Sequence, residues 1–250
     1  MNRRRSTVWL AVATGLIGLV LGANCALAQP ATATAPAAAA PAADVNASFR
    51  DPQLDPREWA NRFEVESREV FTARHAVLQA VGLKTGDTVA DVGAGTGLYT
   101  VLFAHDVSPG GSVYAVDVAP RFIEHIAARA EEAGIKNVTP VLCTQSSVSL
   151  PPASIDVAFV CDTYHHFEHP AKTLASIHDA LRPGGRLVIV DFEREQGVSS
   201  DWVLGHVRAG KDVVTAEIEA AGFKRLAEAE VKGLAENYLL VFQKAPAGSE

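Results

Sequence analysis

Sulfur-containing residues are scarce in this chain. Its 250 residues include one methionine, at position 1, and three cysteines, at positions 25, 143 and 161. So few cysteines do not by number imply a disulfide framework. Basic residues are also fewer than acidic ones, 22 against 29, which gives a formal charge of −7. We therefore expect no nucleic-acid partner, because the attraction to phosphate that dominates such binding would be reversed in sign.

The first 43 residues contain no acidic side chain, and their only charged residues are the arginines at positions 3 to 5. An apolar run over 8–22 follows, and small residues precede and include Ala28. This order is typical of a secretory signal peptide at 1–28, so we expect an exported, periplasmic protein. Cleavage after Ala28 would leave 222 residues and, with three arginines removed, change the formal charge from −7 to −10.

An uncleaved membrane anchor is the alternative for this leader. Residues 9–28 form a stretch of 20 residues, just long enough to span a bilayer. The basic end would stay in the cytoplasm in either case, which places the rest of the chain outside it. We expect no stable membrane partner unless the leader is uncleaved.

The remainder of the chain divides by composition. Residues 29–44 are rich in Ala and Pro and offer no apolar periodicity to bury, so we predict a disordered linker there. Residues 45–245 carry the patterns of one folded domain, and 246–250 form a disordered tail.

Helical and strand patterns alternate through the domain. An amphipathic helical region begins at Asp55-Pro56 and stops near Gly82. Strands are then predicted at 88–93, 112–118, 138–143, 155–161 and 186–192, with helices at 98–105, 120–133, 171–181 and 213–221. Such alternation indicates an α/β fold with a doubly wound, mostly parallel sheet and helices on both faces. Segments 224–231 and 238–244 add a C-terminal antiparallel pair, which makes seven strands.

A glycine-rich loop follows the first predicted strand. Its sequence, DVGAGTG, runs from Asp91 to Gly97, and glycine there lets the chain turn sharply and a ligand approach the backbone closely. Asp117 ends the next strand 20 residues beyond Gly97, where a carboxylate can accept both hydroxyls of a ribose. The dinucleotide pattern Gly-x-Gly-x-x-Gly fails, because Leu98 occupies its sixth position, which argues against a nicotinamide cofactor.

Four stretches together resemble a known family. GLKTGDTVADVGAGTG, VYAVDVAP, SIDVAFVCDTYHHF and LRPGGRLVIVDF occur in the order and at the spacing of the class I S-adenosylmethionine-dependent methyltransferases, especially small-molecule enzymes of the ubiquinone-biosynthesis type. The resemblance covers roughly residues 63–192. It implies the Rossmann-like methyltransferase fold, S-adenosylmethionine as cofactor and a small-molecule methyl acceptor.

The resemblance also implies which residues bind the cofactor. Asp91 and the loop glycines would surround its methionine portion, and Asp117 would hold its ribose. The family often has an acid near the adenine, where this chain has Thr144-Gln145-Ser146, so Gln145 or Ser146 would supply the hydrogen bonds instead. The full implied set is Asp91, Gly93, Ala94, Gly95, Gly97, Asp117, Val118, Gln145, Ser146 and Asp162.

The stretch DTYHHF, residues 162–167, lies just past the fourth predicted strand. Side chains at the carboxyl ends of central strands border the ligand crevice of such sheets, so Asp162, His165 and His166 should face cofactor or acceptor. His166 or His165 is then the candidate general base. Alternatively, Asp162 caps the next helix and the histidines are solvated. We expect no metal site, because adjacent histidines should point in different directions.

Two further groups of polar residues follow. Asp191 and Glu193 end the fifth strand at the same rim, where they either orient an acceptor or are simply solvated. Residues 202–211 collect His206, Arg208 and Lys211 in an otherwise acidic chain, and an ordinary solvated helix face is favoured there over an acceptor site.

The strand order that the resemblance implies separates Cys143 from Cys161. They would lie on the third and fourth strands with two strands between them, which is roughly 14 Å at ~4.8 Å per spacing. A disulfide needs Cα atoms within ~7 Å. We therefore predict two free, largely buried thiols.

The sequence leads to one main functional hypothesis and two alternatives. The main one is a methyltransferase that moves the sulfonium methyl of S-adenosylmethionine to a small acceptor. The first alternative is an exported S-adenosylmethionine- or nucleotide-binding module of the same fold without turnover, suggested by the compartment. A nicotinamide oxidoreductase is the second.

Overall fold

The computed structural model describes residues 45–245. The predicted signal peptide at 1–28, the linker at 29–44 and the tail at 246–250 lie outside the described residues. Among the helices of 45–245, none is both long enough and apolar enough to cross a membrane.

Eight α-helices and seven strands make up the described part of the chain. The helices are α1 (Pro56–Phe63), α2 (Glu69–Thr72), α3 (Arg74–Val81), α4 (Leu98–Asp106), α5 (Pro120–Glu132), α6 (Pro170–Ala180), α7 (Asp201–His206) and α8 (Lys211–Ala220). The strands are β1 (Thr88–Val92), β2 (Ser112–Asp117), β3 (Val138–Leu142), β4 (Ile155–Cys161), β5 (Leu181–Phe192), β6 (Phe223–Glu228) and β7 (Asn237–Lys244). Two 3₁₀ turns lie at Ala47–Phe49 and Tyr164–His166.

The seven strands form one sheet in the order β3-β2-β1-β4-β5-β7-β6. The first five strands pair in parallel, β7 runs antiparallel to β5, and β6 pairs antiparallel with β7. The predicted fold class is therefore confirmed, including the closing antiparallel pair. Strands β2 and β3 are added on one side of β1, and β4 and β5 on the other. The strand order therefore reverses between β1 and β4, and ligands bind at such a switch point in open α/β sheets.

Helices cover both faces of the sheet, as the apolar runs of its central strands require. On one face the core contains Leu174 and Ile177 of α6 together with Ile218 of α8. On the other face Val77 of α3 and Phe103 of α4 are fully buried. The site described below occupies the edge where both layers end.

Helix α5 illustrates how the local sequence determines its element. Pro120 stands at its first position, where a missing N–H costs nothing. Phe122, Ile126 and Ala130 recur every four residues and are the buried positions of the helix. Ile126 packs with Ala115 of β2, so α5 lies against the strand that it follows.

The fifth strand begins earlier than the sequence predicts. The sequence predicts a helix that ends at Leu181 and a strand that starts at Arg186, but β5 begins at Leu181. Leu181 pairs with Ile155, and the next pair joins Arg186 to Val157. The Pro-Gly-Gly sequence therefore produces a register shift within the strand, since these residues add length that β4 does not match.

Candidate functional site

A cavity of about 770 Å³ opens at the carboxyl ends of the parallel strands. This volume falls within the ~300–1,000 Å³ typical of ligand pockets. The glycine loop and Asp117 line one part of the cavity, and His165, His166 and His206 line another. Most of the residues that the sequence predicts to contact cofactor or acceptor therefore line this one cavity.

The glycine loop packs closely against the segment after β4. At Gly93, with φ +74°, a Cβ would lie 2.2 Å from the Thr163 side chain, so no larger residue fits without movement. Gly97, with φ +82°, is the N-cap of α4, and a Cβ there would lie 3.0 Å from Ile126. Left-handed backbone at both positions favours glycine for a second reason.

Asp117 closes β2 with its carboxylate against the loop. It accepts the backbone N–H of Gly95 and that of Ala119, each at 2.8 Å. Each carboxylate oxygen has further lone-pair capacity, so ligand hydroxyls can still donate to it. Burial raises the pKa of Asp117 to about 6, although the backbone hydrogen bonds oppose the rise.

Asp91, at the end of β1, is a second buried carboxyl at this end of the cavity. Its side chain accepts the Thr100 hydroxyl at 2.6 Å. Burial raises the pKa of Asp91 to about 7, with a smaller contribution from the charge of Asp117. Two carboxyls with raised pKa values therefore border the same cavity, a common feature of functional sites.

Most other predicted cofactor residues also line the cavity. Ala94, Gly95, Val118 and Gln145 do so directly. Gln145 also donates its amide N–H to the Glu168 carboxylate at 3.0 Å.

Gly97 and Ser146 are not among the lining residues, which differs from the prediction. Gly97 is turned into the packing between α4 and α5. Ser147, rather than Ser146, lines the cavity from the loop after β3, where Thr144 and Ser147 form an isolated β-bridge.

Asp162 lines the cavity but is already engaged by protein groups. Arg68 forms an ion pair with one of its carboxylate oxygens, and the Asn237 amide donates to the other at 2.5 Å. Its φ of +46° is unusual for a residue other than glycine. The alternative in which Asp162 caps the next helix is wrong, since the N-cap residue of α6 is His169 and that of the 3₁₀ turn is Thr163.

The histidines of this turn are not solvated, contrary to the alternative interpretation. His165 is 3% exposed and His166 is partly buried, and their ring centroids lie only 4.2 Å apart. The expectation that adjacent histidines point in different directions is wrong, because the tight 3₁₀ turn directs both rings into the cavity. His206, from α7, completes the cluster, with centroids 5.2 Å from His165 and 5.1 Å from His166.

Asp191 fixes the orientation of His165. Its carboxylate accepts from His165 Nδ1 at 2.7 Å and from the backbone N–H groups of His165 and Phe192. Although burial opposes it, attraction to His165 together with these hydrogen bonds holds the pKa of Asp191 below its ordinary value. Asp191 is 1% exposed, so the expectation of a solvated rim acid is wrong.

Asn46 fixes His166 in a similar way. The Asn46 amide nitrogen donates to the His166 carbonyl oxygen and to Glu168, both at 2.9 Å. Its amide oxygen therefore faces His166 Nδ1, 3.0 Å away. Burial, with repulsion from His165 and His206, lowers the pKa of His166 to about 3.

Residues before α2 cover the cavity more extensively than the sequence indicated. Phe63, at the end of α1, lines the cavity, as does Arg62, which lies over the Trp59 ring. Sequence reasoning missed Asn46, Phe49 and Trp59, which also line it. Their only sequence signal was a short aromatic-rich stretch before the first strand.

The basic residues of 202–211 are not an ordinary solvated face. His206 lines the cavity, and Arg208 is buried and pairs with Glu217 through two hydrogen bonds of 2.9 and 2.5 Å. Lys211 pairs with Glu193 at 2.6 Å, so Glu193 is not a free rim acid either.

Both described cysteines are free, as predicted. Cys161 ends β4 and Cys143 follows β3, with β2 and β1 between these strands. Each residue is half-buried rather than largely buried. Burial nevertheless raises the pKa of Cys143 to about 12, so its thiol is protonated at neutral pH.

Comparison with known proteins points to one family. A family model described as a methyltransferase domain matches residues 90–189. Protein-L-isoaspartate O-methyltransferase of Aeropyrum pernix is 34% identical over 116 residues, which cover 45% of this chain and 42% of that protein. The ubiquinone/menaquinone biosynthesis C-methyltransferase of Marinomonas sp. is 28% identical over 124 residues, 49% of each chain. The chain thus spans less than half the length of these two curated relatives.

A solved structure extends the similarity to most of the chain. The crystal structure of an S-adenosylmethionine-dependent methyltransferase from Aquifex aeolicus matches with a TM-score of 0.67 and 26% identity, covering 76% of this chain and 99% of that one. The sequence matches, the fold and the glycine loop all point to a methyltransferase domain. The match over residues 90–189, the methyltransferase relatives and the shared fold support the class I S-adenosylmethionine-dependent methyltransferase family, and family and fold imply S-adenosylmethionine as the cofactor.

Proposed function

We propose that this chain transfers the methyl group of S-adenosylmethionine to a small-molecule acceptor inside the cavity. The observation that carries the proposal is that one cavity joins the glycine loop and its two buried carboxyls to a second region of histidine and aromatic side chains. Such a cavity can hold the cofactor and an acceptor side by side. The bound cofactor supplies an electrophilic methyl group, so the protein need not generate one.

The residues at the cofactor end fit this molecule. The backbone at Gly93 and Gly95 lines the cavity, where a ligand can contact it directly. Asp117 retains the lone pairs needed for two ribose hydroxyls. Asp91, once ionised, favours a cationic group nearby.

At the other end, Phe49, Phe192 and Trp202 line the cavity beside the histidines. We infer an acceptor whose apolar part packs on these rings and whose nucleophilic atom faces the histidine cluster. Holding that atom in line with the methyl group and excluding water are the main tasks of the protein in such a reaction. The new bond forms to the methyl carbon while the carbon–sulfur bond breaks, and its electron pair stays on sulfur.

The general-base role of His165 or His166 stays a prediction. A group whose pKa lies near 3 accepts protons weakly at neutral pH. The proposal therefore rests on alignment of the acceptor and not on a base.

A turnover assay tests the proposal. The purified chain is incubated with methyl-labelled S-adenosylmethionine and a small-molecule extract of the cells that produce it. We expect label to move into an extractable product with an equal amount of S-adenosylhomocysteine, at a rate that Asp117→Ala reduces strongly. Label transfer by the wild type no faster than by Asp117→Ala would overturn the proposal, and would favour the binding module without turnover.

We further propose that the chain works outside the cytoplasm and acts without nucleic acid or a stable membrane partner. The basic, then apolar, then small-residue order of 1–28 supports export. Cell fractionation with a mass measurement of the native protein tests this. A full-length product in the cytoplasm would contradict export.

A further inference from the structure

Three imidazole rings from two separate segments meet at the acceptor end of the cavity. His165 and His166 come from the 3₁₀ turn after β4, and His206 is the last residue of α7. One ring nitrogen of each histidine lies within 4.8 Å of a ring nitrogen of each of the other two. Methyl transfer from a sulfonium does not by itself require three converging imidazoles.

The hydrogen bonds at His165 determine which nitrogen is available. Nδ1 of His165 faces the ionised Asp191 carboxylate at 2.7 Å and therefore carries the proton in the neutral ring. Its Nε2 then has a free lone pair. A carboxylate that holds one nitrogen of a histidine while the other binds a metal is a common arrangement, because it fixes the ring and makes the ligand more basic.

The same argument applies to His166. The amide of Asn46 is oriented by two donor bonds from its nitrogen, so its oxygen accepts from His166 Nδ1 at 3.0 Å. Nε2 of His166 therefore also carries a free lone pair. Two adjacent histidines are thus held in the same tautomer by two different partners.

The third ring is positioned by stacking. His206 lies parallel to Trp202, with ring centroids 4.6 Å apart and an interplanar angle of 19°. Trp202 is 56% exposed, so it shields this side of the ring from solvent at the mouth of the cavity.

We propose that His165, His166 and His206 bind a divalent transition metal ion, for which zinc is the test ion. Zinc lies ~2.0–2.1 Å from imidazole nitrogen, so two such rings in a tetrahedral site have centroids about 5 Å apart. The observed centroid separations are 4.2, 5.1 and 5.2 Å, and zinc binding would draw ring nitrogens now within 4.8 Å of one another to about 3.3 Å. The negative charge of Asp191 behind His165 favours a cation here.

Three protein ligands leave one coordination position open, as in catalytic zinc sites. All three histidines line the cavity, so a hydroxyl or thiol of the acceptor can fill this position. A bound zinc ion lowers the pKa of such a group, which then loses its proton to solvent water. The resulting oxygen or sulfur bonds to the methyl carbon as the carbon–sulfur bond of the cofactor breaks. This role rests on the proposed function, whereas metal binding does not.

A zinc titration of variants tests the site. The full chain is stripped with a chelator and titrated with zinc against a chromophoric competitor. We expect one tight zinc per chain, at least ~100-fold weaker binding in His206→Ala, and about 10–100-fold weaker binding in Asp191→Asn, which changes only the carboxylate behind a ligand. His169→Ala is the matched control, since His169 is exposed and lies outside the cluster. Equal zinc affinity of wild type and His206→Ala would overturn the proposal, as would an equal loss in His169→Ala.

X-ray absorption of the zinc-loaded wild type does not depend on any variant folding. We expect three imidazole nitrogens at about 2.0–2.1 Å from zinc. Sulfur ligands, or fewer than three imidazoles, would contradict the site. A parallel titration of the metal-free chain with S-adenosylmethionine separates the two proposals, because failure to bind the cofactor removes methyl transfer and leaves the zinc result intact.

Discussion

Asp91 and Asp117 are carboxyl groups withdrawn from water beside the glycine loop. Both side chains are buried, and each accepts at least one hydrogen bond from the protein. Their buried position raises both pKa values above the ordinary 3.8. A bound ligand that donates hydroxyl groups or carries positive charge would reverse this effect.

Replacement of Asp117 tests its assignment to the ribose. Asp117→Ala removes acceptors for charge-assisted hydrogen bonds worth ~1.5–3 kcal/mol each. We expect S-adenosylmethionine affinity to fall about 10- to 100-fold in calorimetric titration. Glu131→Gln is the control, because it removes one exposed carboxylate from α5 without touching the cavity. An affinity of Asp117→Ala equal to that of Glu131→Gln would contradict the assignment.

The pH dependence of binding follows from the same two groups. With pKa values of about 7 for Asp91 and about 6 for Asp117, both carboxyls take up protons as pH falls from 8 to 5. Cofactor binding favours the ionised forms, so it must release those protons. We expect affinity to be highest near pH 8 and to fall by up to about tenfold per pH unit for each proton released.

Titrations in buffers of different ionisation enthalpy measure this proton release directly. In Asp117→Asn the released fraction should be smaller than in the wild type at pH 6. Affinity that rises as pH falls would contradict the sign of the effect.

At the scale of single residues, part of the site could be predicted from the sequence. Asp117 and the loop glycines could be identified because they stand next to strands at a fixed spacing. The position of His206 beside His166 could not be predicted, since the two residues are 40 positions apart. His206 enters the cavity because the segment between β5 and α8 folds over it. Asn46 likewise depends on how the segment before α1 folds back over the sheet.

At the scale of elements, the turn that carries the histidines is tied to α8. Tyr164, in that turn, donates its hydroxyl to Glu217 at 2.7 Å, and Glu217 also accepts two bonds from buried Arg208. The Arg208 side chain is 1% exposed and that of Glu217 18%. This link holds the histidine turn against the helix on one face of the sheet.

Removing one partner of this pair should be costly. Glu217→Leu leaves the buried Arg208 charge uncompensated, which destabilises proteins by about 3–5 kcal/mol, with the lower end expected for this partly exposed acid. Urea unfolding measures the loss. The double variant Arg208→Met with Glu217→Leu should recover most of it, because no unpaired charge remains. A single variant that loses less than about 1 kcal/mol would contradict this description.

Elements with strong local signals were predicted closely. The predicted and observed bounds of the five parallel strands differ by no more than one residue except at the start of β5. Their apolar runs are bounded by glycine, proline or polar residues, which makes the strand ends recognisable. The exception is β5, whose Pro-Gly-Gly sequence indicates a turn. There the pairing of Leu181 with Ile155 extends the strand beyond a point where local sequence favours a break.

At the scale of the whole described chain, the segment before β1 is joined both to the glycine loop and to the residues at the start of β7. Glu64, just after α1, accepts hydrogen bonds from Arg129 of α5 and from Thr96 of the glycine loop. Glu69 of α2 accepts the backbone N–H groups of residues 235–237, at distances of 2.5 to 2.8 Å. The segment before β1 is thus attached to both the cofactor loop and the start of β7, and forms one wall of the site.

The central claim is that this cavity binds S-adenosylmethionine in preference to a nicotinamide cofactor. Isothermal titration of the purified chain with each ligand tests it most directly. We predict one S-adenosylmethionine per chain and no binding of the nicotinamide cofactor, because the glycine loop departs from the dinucleotide pattern at Leu98. Absence of S-adenosylmethionine binding at millimolar concentration, with binding of the nicotinamide cofactor instead, would contradict the account.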